Sequence, residues 1–240
     1  MILALLLAAA VNAAPSPVAS ASAAAPSPAA TSGAPTGSQP PDGIYIYQGM
    51  IGSQPILQST VVVNRNAGGV DVKETETASG MQGTATTTAD MQLSSDLRPT
   101  KYDAVYGLPG GAKVPASVTF SGNAASEQAK GQTFPFNLAP STTSFAILDG
   151  ALQSGALLLP AQMFGQNAIT AAVPVAGLAT PLTKANDNPT RPTKLGAGEA
   201  HLSISGPVAF VEWYDPTTYI VDEVDVPAQN LIITLQKHTP

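Results

Sequence analysis

Between Lys130 and Lys184 the chain runs through 53 residues, 131–183, with a single charge, Asp149. The stretch carries Leu138, Leu157-Leu158-Leu159, Ile169, Val173, Val175 and Leu178 beside a scatter of aromatics. Burying one Leu- or Phe-sized side chain is worth about 1.5–3 kcal/mol, so such a segment has to find a dry environment. Two readings follow. The commoner is a packed core built by one helix and two strands. In the other, part of the segment lines an apolar groove for an acyl chain or a hydrophobic peptide. The candidate ligand-binding residues of that groove are Phe134, Phe136, Phe145, Leu148, Leu152, Met163 and Phe164.

Helical period appears once, in this same segment. Phe145, Leu148, Leu152 and Leu159 fall three to seven residues apart, with Ala156 beside them, which predicts one apolar helix near 143–159. Ser141, Thr142 and Thr143 are the candidate N-caps and Pro160 the stop. Gly150 and Gly155 weaken a helix by about 1 kcal/mol each relative to Ala. A helix that tolerates both must lean closely on something, such as the face of a sheet.

Elsewhere the pattern is β. Ile44–Gln48 is β-branched and aromatic, and Ile56–Val63 follows after Gly52 and Pro55. The turn signal Asn64–Gly69 leads into Val70–Thr77, which alternates. Val70, Val72, Glu74 and Glu76 share one face of that strand, so its apolar face fades toward the end. Short strands read as Gly83–Thr88, Met91–Ser94, Lys101–Tyr106, Pro115–Phe120 and Ala124–Gln128. At the C-terminus Val208–Tyr214, Tyr219–Val226 and Leu231–Gln236 form a further set. Thr183–Ala200 is a long polar loop, read as an excursion within one domain. The expected fold is all-β, a strongly curved antiparallel sheet or half-barrel with the apolar helix.

The first forty residues are not part of that fold. Residues 1–13 read as a signal peptide, MILALLLAAAV followed by small residues, too short to span a bilayer. Residues 14–41 are an uncharged Pro/Ala/Ser-rich tether, disordered and reaching at most about 85 Å. The β-rich domain is 42–240. This order implies a secreted protein of the periplasm or cell envelope, with no membrane span once the signal is cleaved.

The layout of the domain resembles a known family. An early strand carries Tyr45, Tyr47 and Gly49, followed by Thr60–Val63, an acidic strand and the phrase Asp96-Leu97-Arg98-Pro99-Thr100-Lys101-Tyr102. Val118-Thr119-Phe120 and Ile147-Leu148-Asp149 come next, and Glu212-Trp213-Tyr214-Asp215 and Val224-Asp225-Val226-Pro227 close the chain. This resembles a bacterial envelope β-sheet domain family of unknown function, similar to the lipoprotein-localisation (LolA/LolB-like) proteins. The resemblance implies an unclosed barrel with helix across its concave face, and a lipid or acylated protein as partner. It carries over no catalytic residues, and the lipid-anchoring Cys of the LolB type is absent.

Other constellations are weak. A net charge of −6 with 10 Lys+Arg and no basic cluster argues against nucleic acid as a partner. With no Cys and two His, a thiolate or His-rich metal site is excluded. No dinucleotide fingerprint, P-loop or Gly-x-Ser-x-Gly occurs, so neither cofactor nor nucleophile is expected and the chain is not read as an enzyme. His201, Ser203 and Ser205 read as one polar strand face. Glu212, Asp215, Asp222, Glu223 and Asp225 read as a solvated edge kept from strand pairing by charge. The function expected is binding of a lipid, acylated protein or hydrophobic peptide in the sheet's concavity. The alternative is a structural or protein-interaction module with a filled core.

Overall fold

The structure, a computed structural model, describes residues 39–80, 83–150, 152–206 and 209–240. The signal peptide at 1–13 and nearly all of the 14–41 tether lie outside the described residues.

The first half of the domain is an antiparallel run. β1 (Gly43–Ile51), β2 (Gln54–Asn66), β3 (Gly69–Gly80), β4 (Gly83–Leu93), β5 (Pro99–Gly107), β6 (Lys113–Ser121), β7 (Ala124–Ala129) and β8 (Gln132–Asn137) pair each with the next. The second half holds β9 (Phe145–Ile147), helix α1 (Gln153–Gln162), β10 (Ala168–Val173), β11 (Leu178–Lys184), β12 (Ala200–Ser205), β13 (Phe210–Tyr214), β14 (Val221–Val226) and β15 (Leu231–Thr239). A short 3₁₀ turn, Pro174–Ala176, joins β10 to β11. β15 pairs with β1 and joins the halves into one sheet of 15 strands, ordered β8-β7-β6-β5-β4-β3-β2-β1-β15-β14-β13-β12-β11-β10-β9.

The sheet is mixed rather than wholly antiparallel. β9 and β10 run parallel, with Phe145 opposite Thr170 and Ile147 opposite Ala172. A parallel pair needs a crossover connection, and α1 is that connection. The helix therefore spans Gln153–Gln162, later than the 143–159 expected. Its predicted first turn is instead β9, whose three residues are all buried. Pro160 lies inside the last turn rather than ending the helix, and Ser141–Thr143 cap nothing in it.

The sheet rolls on itself without closing. β8 and β9 are its two edges, yet the linker between them is only residues 138–144. Strands distant in the sheet order touch: β5 meets β9, β8 meets β11, and the 174–176 turn lies against β6 and β7. α1 packs against β2, β3, β13 and β14 as well as β9. Its residues 153–161 are all buried, as an all-round apolar helix requires. Inside the roll one hydrophobic cluster joins both halves, from Tyr45, Val61 and Tyr102 to Leu158, Ile169 and Ile233.

Local chemistry explains the free edge at β8. Lys130 and Gly131 have φ of 53° and 74°, the two left-handed residues of a tight hairpin turn between β7 and β8. That turn makes Ala129 and Gln132 a hydrogen-bonded pair, so residues 133, 135 and 137 turn their backbone groups outward. Pro135 falls on this outward set, where its missing N–H removes a donor from the edge.

The polar loop is not a domain boundary. Residues 185–199 return to the sheet: Ala185 N donates to Ser203 O, and Lys194 Nζ pairs with Glu223 and reaches Thr234 Oγ1 at 3.4 Å. Glu223, Trp213 and His201 are opposed across β14, β13 and β12, with the His201 and Trp213 rings 5.4 Å apart. Glu223 is 2% exposed and Glu212 is 0% exposed, while Asp215, Asp222 and Asp225 are half-buried; β13 and β14 lie inside the sheet order, so these acids do not line an edge.

Candidate functional site

Two features of the roll carry unexplained chemistry: the seam between its edges and a set of carboxylates inside it.

The seam is aromatic. Phe134 and Phe136 project from the inner face of β8 and are half-buried. Phe136 stands edge-on to Phe145 of β9, ring centroids 6.0 Å apart, and Phe120 of β6 lies 5.3 Å from Phe145. Phe134 lies over Gly177, where a Cβ would meet its ring at 3.6 Å. Across the gap Ala139 N donates to Thr170 Oγ1 at 3.0 Å, and the Thr142 and Thr170 hydroxyls share a hydrogen bond. No ladder joins β8 to β9.

The seven candidate groove residues do not form one surface. Phe134, Phe136 and Phe145 meet at the seam. Leu148, just after β9, is half-buried against the core. Leu152 and Met163, at the two ends of α1, are sealed inside, 4% and 0% exposed. Phe164 is 45% exposed at the far end of α1, edge-on to Tyr219 at 6.3 Å. An open groove of about 450 Å³ crosses the outer face of β5–β7, lined by Asp103, Ser117 and Gln128 among others, and none of the seven reaches it.

The carboxylates begin with Glu74. On β3 the inward face runs Val70, Val72, Glu74, Glu76, and it stays buried through Glu76 before opening at Ala78 and Gly80. Glu74 accepts from Gln153 N at 2.7 Å and Ser154 N at 2.8 Å, and from the Ser59 hydroxyl. It thereby caps α1, whose own N-cap residue, Leu152, offers no side-chain acceptor. Burial raises its pKa, and these donors pull the other way. At the other end of α1, Lys184 Nζ donates to Met163 O at 2.7 Å, so both ends of the helix dipole face an opposite charge.

Asp149, the lone charge of its segment, stands in the turn before α1. It accepts from Tyr102 and from Tyr106 (2.5 Å), and from Val175 N at 3.3 Å. Burial raises its pKa and the three donors lower it. Glu76 is pushed well above the carboxylate range by burial, then by Glu74 and Asp149 nearby. Glu127, on the inner face of β7, is pushed up to about 7 by burial and by Asp149. Glu127 is 0% exposed and, among the described residues, neither of its oxygens has a hydrogen-bond partner; Glu76 Oε2 also lacks one there. Glu212, opposed to Leu202 and Val224 on β12 and β14, is likewise buried, unpartnered and raised by desolvation.

Sequence reasoning noticed Asp149 as a lone charge but assigned none of these acids to the interior. The available signal was phase: Glu74 and Glu76 continue Val70 and Val72, and Glu127 follows Ala125. Among the described residues no cluster of three or more His, Asp or Glu is placed to hold a metal ion, and no helix is long and apolar enough to cross a membrane. Met91 is core, 1% exposed. Comparison with known proteins found no matching family model, no similar curated protein and no similar solved structure.

Proposed function

We propose that this is an exported, non-catalytic binding protein of the cell envelope, and that it takes an apolar chain at the seam of its rolled sheet. The single observation that supports this is Phe134 and Phe136, half-buried on an edge strand that is hydrogen-bonded on one side only, to β7, and continuous with the core through Phe145. A monomeric domain ordinarily covers such aromatics. α1 lies over the middle of the inner face, which leaves the seam as the place where an acyl chain would reach the core. The leader-like 1–13 and the resemblance of the sequence layout to lipoprotein-localisation proteins are the grounds for the compartment and the ligand class.

A second reading, a structural module with a filled core, is favoured by α1 itself, since residues 153–161 are all buried against the sheet. One experiment separates the two. Protein isolated from the envelope is examined by native mass spectrometry and then titrated with a fluorescent acyl probe. A co-purifying apolar molecule, or saturable probe uptake that is lost in Phe134→Ser/Phe136→Ser, supports the seam site. Neither adduct nor uptake overturns it in favour of the filled module.

A further inference from the structure

Glu127 lies on β7, one strand in from the seam. It is opposed to Phe134 on β8, the edge strand, so it lies one strand spacing, about 4.8 Å, inside the free edge. Its other neighbour in register is Val118 of β6. The 174–176 turn lies against β6 and β7, and it presents Val175 N to Asp149. Glu127 is thus fully buried behind the seam, with both carboxyl oxygens unpartnered among the described residues. A buried carboxyl without a partner is expensive and calls for an explanation; Glu127 differs from Glu212 in standing next to the edge strand.

The surroundings define the use. From β5, Tyr106 and Tyr102 face Asp149, and from β3, Glu76 and Glu74 complete the acidic set. At their paired positions β6 and β8 bring only Val118 and Phe134 to Glu127, and segment 131–183 contains no Lys or Arg. A fatty acid or a phosphate head would add a further anion to a set that has no cation. An ammonium has three donors and the opposite charge.

We infer that the seam takes an apolar chain bearing a cationic head, a long-chain amine, and that Glu127 receives the ammonium. The inference rests on the seam site proposed above and adds the chemistry of the ligand's head. The raised pKa of Glu127 fits it, since the ammonium is the missing partner that would hold the carboxylate ionised.

The full chain is titrated by calorimetry with decylamine, decanol and decanoate at about pH 8 and about pH 5. At the higher pH decylamine binds about ten-fold more tightly than decanol, and decanoate binds weakest. The amine's advantage shrinks at the lower pH, where the carboxyl is protonated. Glu127→Gln brings decylamine to the level of decanol and leaves decanol unchanged, while Glu127→Asp keeps the preference. Decanoate binding as well as decylamine, or a preference that survives Glu127→Gln, overturns the inference. Decanol binding with no advantage for the amine sinks the inference alone; no binding of any probe sinks the seam site with it.

Discussion

Glu74 does for α1 what a serine just before the helix does elsewhere. Its two oxygens satisfy Gln153 N and Ser154 N, although the residues lie 79 and 80 positions apart. The cap therefore ties β3 to the crossover and fixes where α1 starts. Glu74→Ala leaves two buried N–H groups and the Ser59 hydroxyl without their acceptor. It should lower stability by about 1.5–3 kcal/mol, read as a drop in the urea midpoint with an unchanged slope. Glu74→Gln keeps an acceptor oxygen and should lose less. If the two variants melt alike at the wild-type value, Glu74 is not the cap.

At the scale of elements, Gly155 shows why α1 tolerates a poor helix former. A Cβ there would run into the carbonyl oxygen of Ile147, the last residue of β9. The helix backbone lies directly on that strand. Gly→Ala in an exposed helix interior gains about 1 kcal/mol; here the sign inverts. Gly155→Ala should cost about 1–3 kcal/mol, because strand and helix must separate to admit one methyl. A thermal melt at or above the wild-type midpoint would contradict this packing.

The same stretch marks where the sequence stopped being legible. Antiparallel strands such as Val70–Thr77 and Pro115–Phe120 alternate because one face is wet, so their positions follow from residue pattern. β9 is buried on both faces and has no alternation to read. Its Phe145, together with Leu148 and Leu152, mimics a helical stripe, which is why the expected helix begins ten residues early. Gly155 did announce a close approach, and that much of the site was readable. The seam was not, because it depends on Phe136 meeting Phe145 across the two sheet edges, a consequence of how far the sheet rolls. The interior acids were misjudged because a Glu at the end of an apolar face reads as the point where that face meets water.

For the molecule as a whole those acids set the pH response. Glu76, Glu127 and Glu212 all have pKa values raised by burial, and Glu127 and the partly exposed Glu199 reach about 7. A raised carboxyl holds its proton longer folded than unfolded. Folding therefore binds protons, and its stability is complete below the unfolded pKa of about 4.3 and lost as pH rises through the folded value. Asp215, held low by backbone N–H groups from Thr217 and Thr218, works in the opposite sense, but it is a single half-exposed group. The net charge of −6 at neutral pH adds self-repulsion in the same direction as the buried acids. Without ligand, the melting temperature should be highest near about pH 5 and fall steadily to about pH 8. Glu127→Gln should remove part of that slope, raising stability at about pH 8 by about 1–3 kcal/mol while changing little at about pH 5. A profile that rises with pH over this window would mean that the carboxylates are paired and ionised inside the roll, and Glu127→Gln would then destabilise the fold instead.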